Sequence, residues 1–474
     1  MGLERKVIYG AKGWLALWAL LTVALLWPLF LTGAPGYTPD TSSYYRGGRA
    51  AVQFGIDQVA KLVELTKERN LEPSLLPTTR EPAQPIGIRS ITYSILVYLL
   101  AFPGMSLVSL IVVQSAITAG VIALFCRAIG LTDSWLAAVV VIAGLSAGTA
   151  LPTFATLAMP DVFSGVLILG VLMLSAFAGQ LTAIERVCVA AVVAFAVASH
   201  ASHILLAIGM LLVFCVYAGV TALRRMTQDI KWDLRWPAAA LAAGLVGSVI
   251  TSIIGFGEVT AIPKRYPFAL ARSIEDGPAR WYLEQHCASS KYAICELFPD
   301  RIPADFLWGP GGIAQRATPE QMERIRAEET TIVRLATAEH PGAQFRSSVR
   351  NLWEQIRFVS LDPLSYRGTR LAGSGELVVD RPSPSLEWHK QVQVGVLVLA
   401  VLVISLGSWS ATTRVKWAIV NIAAAILGNA VICGVLSAPD SRYQSRLLWL
   451  IPLLAVYVFW DLRISRSGAL ALRG

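Results

Sequence analysis

Two acidic residues that each follow a proline are the candidates for proton-transfer chemistry. Asp40 follows Pro39 shortly after the first apolar segment, and Asp161 follows Pro160 where a later apolar segment begins. A carboxylate beside lipid is costly unless water, a cation or a ligand stabilises it. A carboxylate within reach of a hydroxyl can act as a general base. Ordinary turn chemistry is the simpler explanation of Asp40, and a favourable helix N-terminus is the simpler explanation of Asp161.

Basic side chains supply the complementary chemistry. Arg442 and Arg446 are four residues apart, so they share a face if the last helix begins early. Arginine matches phosphate oxygens with paired donors, which makes these two the first candidates for an anion site, with Arg89 and Lys264 second. Snorkelling towards lipid headgroups is the alternative explanation of the arginines. The further candidates for substrate contact are Tyr44, Tyr45, His200, His203 and Tyr443.

The composition shows which elements must position these residues. The chain is 55% hydrophobic and 15% charged, with a mean hydropathy of +0.58, whereas a soluble protein carries roughly 25% charged residues. The sequence therefore predicts an all-α polytopic membrane protein. The formal charge of +9 does not indicate a nucleic-acid partner, because many Lys and Arg residues lie near segment ends, where membrane orientation accounts for them. The six cysteines form no Cys/His cluster of the kind that binds zinc or iron–sulfur groups.

About 20 mostly apolar residues are needed to span a bilayer. On this basis we predict about ten membrane helices, namely Gly13–Thr32, Gly104–Cys126, Ser134–Gly148, Asp161–Gly179, Val187–Ala198, His203–Leu223, Trp236–Phe256, Val392–Trp409, Val415–Leu436 and Leu447–Leu462. The first is expected to be retained, because no small-residue cleavage site follows it. Ile91–Pro103 is too short to span and is predicted to lie along the membrane. Arg46–Arg69 has the pattern of an amphipathic surface helix.

The distribution of Lys and Arg among the short loops predicts that both termini are cytoplasmic. The chain then divides into an N-terminal membrane module (1–256), an extracytoplasmic domain (257–390) and a C-terminal membrane module (391–474). In the first module, the span at 13–32 is followed by an outer loop with juxtamembrane helices (33–103) and by six further spans (104–256). The short outer loop Ser437–Arg446 is an exception, since it carries two arginines on the side that is otherwise poor in positive charge.

The extracytoplasmic domain is predicted to be small and mainly helical. Thr318–Glu339 reads as a charged helix with Pro319 in its first turn and Pro341 at its end. Phe345–Phe358 is predicted to form another helix, and no segment shows a strong strand alternation. Cys287 and Cys295 both lie in this domain. An oxidising compartment makes a disulfide between them plausible.

Four motifs resemble those of the GT-C superfamily of membrane glycosyltransferases, which use polyprenyl-phosphate-linked sugars. They are Pro39-Asp40-Thr41-Ser42-Ser43-Tyr44-Tyr45, Met159-Pro160-Asp161-Val162-Phe163, Gln84-Pro85-Ile86-Gly87-Ile88-Arg89-Ser90-Ile91-Thr92-Tyr93, and Ser441-Arg442-Tyr443 through Arg446. The resemblance covers the membrane core, roughly residues 13–260 and 390–463, and does not reach the outer domain. One departure is that the first outer loop carries a single acidic residue near the membrane, where the family often has an adjacent pair.

The resemblance implies transfer of a sugar from a polyprenyl-phosphate donor to a glycan, lipid or protein acceptor. The site would lie on the extracytoplasmic face of the bilayer, in a bacterial inner membrane. Asp40 would be the general base, and the arginines would stabilise charge on the departing phosphate. Asp161 would orient the acceptor or hold a divalent metal with Asp40. The metal requirement differs between branches of the superfamily and stays open. No nucleotide cofactor is expected, because the lipid carries the sugar.

Three other functions compete with this interpretation. A transporter or lipid flippase would place polar residues and broken helices near the bilayer midplane, whereas the predicted spans are mostly free of charge and the ionisable residues gather at one face. An O-antigen-ligase-like or polymerase-like enzyme would also use a lipid-linked donor and a large outer loop. A non-catalytic assembly or sensor protein would use the outer domain as its working part.

Overall fold

The computed structural model describes residues 11–67, 89–101, 106–223, 232–262, 265–358, 368–371, 377–381 and 387–471. Most of these residues are helical. The helices of the apolar bundle are α1 (Ala11–Leu25), α2 (Trp27–Thr32), α3 (Pro39–Lys67), α4 (Ile91–Leu100), α5 (Val108–Ala128), α6 (Trp135–Ala147), α7 (Leu151–Ala155), α8 (Val162–Ala176), α9 (Ala183–Ser199), α10 (Ala201–Leu223), α11 (Arg235–Phe256), α18 (Glu387–Gly407), α19 (Thr413–Leu436), α20 (Ser441–Ser445) and α21 (Leu450–Ala471).

Seven helices in the described part of the chain are long and apolar enough to cross a membrane. They are Gly13–Thr32, Val108–Ala128, Ala201–Val220, Arg235–Gly255, Glu387–Gly407, Thr413–Leu436 and Ser441–Ser465. This confirms a helical integral membrane protein. Three of the ten predicted spans correspond to the shorter helices α6, α8 and α9, of 13, 15 and 17 residues. Every residue of α8 is buried in the bundle, so its length is not set by contact with lipid. The count of ten therefore stays a prediction.

The stretch around Asp40 is helical. Asp40 is therefore not part of a turn, which is the simpler explanation of this residue from the sequence. Helix α3 begins at Pro39, so Asp40 lies in the first turn of a 29-residue helix. Proline suits the first helical position, and a carboxylate in the first turn is stabilised by the helix dipole. The helix α4 is ten residues long, which is too short to span, and lies against α3. A Cβ at Gly48 would overlap the Ser94 carbonyl oxygen, so this contact requires glycine.

The segment between α11 and α18 has a hydrophobic core of its own, built from residues Leu270 to Ala336. We call residues 268–358 the small domain. Its helices are α12 (Phe268–Asp276), α13 (Pro278–His286), α14 (Ala293–Leu297), α15 (Ile313–Arg316), α16 (Pro319–Glu339) and α17 (Pro341–Arg357).

The predicted helix Thr318–Glu339 is confirmed. Thr318 caps α16 reciprocally with Gln321, an arrangement that satisfies free backbone donors of the first turn. Pro341 begins α17 as well as ending α16, so α17 starts four residues before the predicted Phe345.

Two further features of this region are a disulfide and a hairpin. Cys287 and Cys295 are joined by a disulfide with a Cα–Cα distance of 5.5 Å, which links the ends of α13 and α14. The strands β1 (Gly368–Leu371) and β2 (Leu377–Arg381) form an antiparallel hairpin. The sequence analysis missed this hairpin, because four- and five-residue strands give little alternation to detect.

Candidate functional site

Backbone hydrogen bonds place the two carboxylates beside each other. The Gly36 N–H donates to the Thr156 carbonyl over 2.9 Å, and the Ala158 N–H donates back to the Gly36 carbonyl over 2.8 Å. The first segment leads into α3 and Asp40, and the second leads into α8 and Asp161. This short bridge therefore fixes the starts of two helices that are far apart in sequence.

Asp161 lies in the buried part of the site. Its side chain is 2% exposed, and its Oδ1 accepts a hydrogen bond of 3.1 Å from Nη1 of the fully buried Arg446. Arg446 Nη2 donates to Asn429 Oδ1 over 3.0 Å and lies 3.4 Å from the Ser202 hydroxyl. Removing one partner of such a pair leaves an uncompensated buried charge, which is strongly destabilising.

A glycine lets the helices that carry this pair approach each other. A Cβ at Gly165 would lie 2.6 Å from the Trp449 indole nitrogen. Gly165 is about one turn after Asp161, and Trp449 is three residues after Arg446. Small residues allow close packing between membrane helices, so Gly165 helps to set the distance between the carboxylate and the guanidinium.

Asp40 lies in the more open part of the site. Its side chain is 21% exposed, and its Oδ1 accepts a hydrogen bond of 2.5 Å from Arg89 Nη2. Burial alone would lower the pKa of Arg89, but the neighbouring carboxylate of Asp40 raises the pKa above its usual value. The ion pair of Asp40 and Arg89 joins α3 to the segment that leads into α4.

Arg442 lies between the two carboxylates without a close bond to either. Its Nη2 is 3.5 Å from Asp40 Oδ2, and its Nε is 3.8 Å from Asp161 Oδ1. These distances exceed those of an N–H···O hydrogen bond. In the part of the chain that the structure describes, Arg442 Nε is a buried donor with no hydrogen-bond partner. The guanidinium is thus held electrostatically and retains donors that a ligand could use.

The local backbone presents the two arginines of the last apolar segment together. Asp440 caps α20 by accepting a hydrogen bond of 2.8 Å from the Arg442 backbone N–H. The guanidinium carbons of Arg442 and Arg446 lie 5.3 and 5.2 Å from the centre of the Tyr443 ring, within cation–π range. With Arg89 included, three guanidiniums lie close to the carboxylates of Asp40 and Asp161, and the Asp440 carboxylate is bonded to the Arg442 backbone.

The two predicted histidines occupy different environments. His203 Nδ1 donates to the Ala196 carbonyl over 2.7 Å, so Nε2 of the neutral ring accepts the Ser164 hydroxyl over 2.6 Å. His203 is therefore fully engaged between α8, α9 and α10. His200 accepts a bond of 3.2 Å from the Ser202 N–H. Burial, followed by the nearby His203, holds the pKa of His200 well below its usual value of 6.5.

A cavity of about 440 Å³ lies between the bundle and the small domain. It meets the charged cluster at Tyr44, Arg89 and Tyr443, whereas Asp40 and Arg442 are not among its lining residues. In the described residues, the Tyr44 hydroxyl is buried with no hydrogen-bond partner, and burial raises the pKa of Tyr44 above its usual range. This hydroxyl is a neutral, buried donor on a residue that lines the cavity.

The lining of the cavity is mixed on both sides. The bundle contributes the apolar side chains of Val197, Ile204, Leu205, Ile432 and Leu436 together with the polar side chains of Arg89, Ser90, His200, Ser202 and Ser248. The small domain and the segment leading to it contribute the charged side chains of Arg265, Arg272, Glu275 and Asp305 together with the apolar and aromatic side chains of Ile262, Phe268, Phe306, Leu307 and Trp308. Such a cavity suits a ligand with an apolar and a polar part.

Of the two remaining predicted residues, Tyr45 lies in the described part of the chain. Tyr45 packs against Tyr98 with ring centres 5.6 Å apart, and it does not line the cavity. Lys264 lies outside the described residues. The sequence analysis missed Asn429, Ser202 and Trp308. Asn429 carried a usable signal, because an amide inside an apolar helix is rare and is usually paired or functional.

In the described parts of the chain, no group of three or more His, Cys, Asp and Glu side chains is arranged to hold a metal ion. The pair Asp40 and Asp161, which the resemblance offered as metal ligands, has Arg442 between its carboxylates. No protein-family model, curated protein or solved structure matches this chain.

Proposed function

We propose that this protein transfers a sugar from a polyprenyl-phosphate-linked donor to an acceptor. The observation that carries the proposal is the position of Arg442, a cation held only by long contacts between two carboxylates, beside an amphipathic cavity. A lipid phosphate would supply the close anionic partner that Arg442 lacks. The apolar side chains among the cavity lining suit the lipid part of such a donor.

Arg442 would be the main ligand of the donor phosphate, and Arg89 would be an additional one. Arginine offers two parallel donors to phosphate oxygens. During transfer the bond between the anomeric carbon and the phosphate oxygen breaks, and the phosphate leaves with the electron pair. Positive groups already in place stabilise this developing charge. Arg446 is committed to Asp161, so its contribution would be to the local potential and to the position of the Arg442 turn.

Asp40 would accept the proton from the acceptor hydroxyl as that oxygen bonds to the anomeric carbon. It is the better candidate for a base, because its carboxylate is partly exposed whereas Asp161 is buried with Arg446. Transfer of Arg442 from the carboxylate to the phosphate would leave Asp40 paired only with Arg89. Asp161 would then be a positioning residue that keeps both arginines near the site.

The charged and aromatic side chains of the small domain suggest where the acceptor binds. Trp308 is half exposed and lies beside Asp305, and Arg265, which is paired with Glu329, lines the same cavity. An aromatic face next to carboxylate and guanidinium groups suits a hydroxyl-rich molecule, and a glycan fits this chemistry among the glycan, lipid and protein acceptors that the resemblance implies.

The proposal includes a topology with ten spans, both termini in the cytoplasm and the site at the extracytoplasmic face of a bacterial inner membrane. The Lys and Arg distribution supports it, as does a disulfide in the small domain, since disulfides persist in oxidising compartments. A cysteine at Thr318 should react with an impermeant maleimide on intact cells. Labelling only after permeabilisation would show that the small domain is cytoplasmic and that the proposed orientation is wrong.

The direct test uses the purified protein in proteoliposomes with a panel of polyprenyl-phosphate sugars, radiolabelled in the sugar, and an envelope glycan fraction. We expect label to move from lipid to acceptor, together with release of free polyprenyl phosphate. The Asp40→Asn variant is the control for background hydrolysis. Donor that crosses the bilayer uncleaved would identify the protein as a lipid translocase.

A further inference from the structure

Helix α17 has its apolar residues on the outside. Four apolar side chains of α17 are exposed. They are Phe345 (70%), Val349 (50%), Trp353 (59%) and Ile356 (36%). At 100° per residue these four positions form a stripe about 80° wide along one face. We call these four residues the apolar stripe. A helix of a water-soluble domain would turn such a stripe inward.

The opposite face of α17 is polar and is the face that is buried. Its buried residues are Ser347, Asn351 and Gln355. Gln355 Nε2 donates to the Asp440 carbonyl over 2.8 Å, and Gln355 Oε1 accepts from the Asp440 N–H over 3.0 Å. Asn351 Nδ2 donates to the carboxylate of Asp276 over 2.9 Å. These bonds fix which way α17 faces, so the outward stripe is not an accident of a loosely held helix.

The position of α17 along the bundle suggests what covers the stripe. A Cβ at Gly434 would lie 2.8 Å from the Asn351 carbonyl oxygen, so α17 crosses α19 within a few residues of the end of α19 at Leu436. Leu427 and Val431 of α19 are exposed apolar side chains on a helix that is apolar enough to span. The stripe therefore continues a lipid-facing surface.

The charges beside the stripe fit the same partner. Arg346, Arg350 and Arg357 follow the stripe along one edge, at about 100–140° from Phe345 by helical geometry. The guanidinium of Arg357 lies 6.0 Å from the centre of the Trp353 ring, and Arg350 is 3.1 Å from Asp276. Aromatic and apolar side chains next to arginines are typical of helices that lie in the boundary between headgroups and acyl chains.

We propose that α17 is an interfacial membrane helix whose apolar stripe is inserted in the leaflet at the small-domain end of the bundle. Its partner is the lipid bilayer. The inference does not depend on the proposed catalytic activity, because it follows from the orientation of α17 alone. One consequence is that the membrane-bound helix would be linked to the charged cluster by hydrogen bonds. Gln355 of α17 bonds to the backbone of Asp440, and the Asp440 side chain bonds to the backbone of Arg442.

Site-directed spin labelling in lipid nanodiscs tests this directly. Cys188 and Cys215, the free cysteines that are exposed, are first changed to serine, and nitroxides are attached at Val349→Cys and Trp353→Cys. Leu427→Cys, on the exposed surface of α19, is the lipid-facing control. Ala327→Cys, on an exposed position of α16, is the water-facing control. The measurement is collision with oxygen, which partitions into lipid, against collision with a water-soluble nickel chelate.

We expect both stripe labels to resemble Leu427→Cys, with oxygen accessibility several-fold higher relative to nickel than at Ala327→Cys. Size-exclusion chromatography of each labelled protein establishes that it remains monodisperse. Nickel accessibility equal to that at Ala327→Cys would overturn the proposal and show that the stripe faces water. Shielding from both reagents would also overturn it, since that result indicates a protein contact, such as a second copy of the chain.

Discussion

The two carboxylates of the charged cluster are close in space and differ in what surrounds them. Asp161 is almost inaccessible and bonded to a fully buried arginine that has further polar partners. Asp40 is partly exposed, with one close arginine and one distant arginine. The pair of Asp161 and Arg446 is buried, and its charges neutralise each other away from solvent. Asp40 and Arg442 are held apart by a longer contact, so each could bind a different partner.

This difference arises from the helices that carry the residues. Asp161 precedes α8, which is buried along its whole length, so any charge there must be neutralised by protein. Asp40 begins α3, whose later residues include the exposed Ile56 and Val59. The same residue type is therefore enclosed in a buried ion pair at one helix start and partly exposed at the other.

The largest effect is expected for Asp40→Asn, which changes the open part of the cluster. An amide cannot accept the acceptor's proton, and general-base catalysis contributes about 10²–10⁴-fold. We expect a loss of sugar transfer in that range in the proteoliposome assay, with a melting temperature close to that of the unmodified protein. Transfer within a few-fold of normal would move the base to another residue.

Arg446→Ala changes the buried part and should act on stability. It leaves the Asp161 carboxylate buried without its partner, a change that typically costs about 3–5 kcal/mol. We expect a clearly lower melting temperature in detergent micelles. The double variant Asp161→Asn/Arg446→Met removes both charges and should recover much of the loss. If Arg446→Ala melts normally, the contrast between the two parts of the cluster is wrong.

Arg442→Ala should separate binding from stability. Arg442 makes no close bond to either carboxylate, so the melting temperature should fall little. A charge-assisted contact with phosphate contributes roughly 1.5–3 kcal/mol, and we therefore expect polyprenyl phosphate to bind about 10–100-fold more weakly. Arg324→Ala, an exposed arginine of α16 that pairs with Glu296, is the matched control. Equal losses in the two variants would indicate a general charge effect.

The smallest effect concerns His200. Its influence on the pH dependence of stability tests whether the burial around Asp161 extends to this residue. Its pKa is lowered by burial, so the unfolded chain binds this proton more readily than the folded protein. Stability should fall as the pH drops below about 6.5, by up to about 1.4 kcal/mol per pH unit for one proton. His200→Asn keeps an acceptor near Ser202 and should show a shallower loss of melting temperature between pH 7.5 and 5.5. An unchanged slope would show that other groups cause it.

Much of this arrangement can be predicted from the sequence, because apolar segment length and breaker residues report where helices lie. Asp40, Asp161, Arg89, Arg442 and Arg446 were candidates, and they lie in one cluster. Their pairing was not predictable. Arg446 pairs with Asp161. This pairing depends on the backbone bonds between Gly36 and Ala158 and on the close approach at Gly165, which a sequence pattern does not reveal. Helix α17 was predicted as a helix, but periodicity gives no indication that its apolar face turns outward.

The place of Arg442 has a consequence for the order of events under the proposed function. A guanidinium cannot neutralise Asp40 and grip a phosphate equally well at the same time. While the site is empty, Arg442 partly neutralises Asp40. Arrival of the donor would draw Arg442 to the phosphate and leave Asp40 paired with Arg89 alone, so Asp40 would become a stronger base only when the donor is bound. Kinetics should then be ordered, with the lipid-linked donor binding before the acceptor.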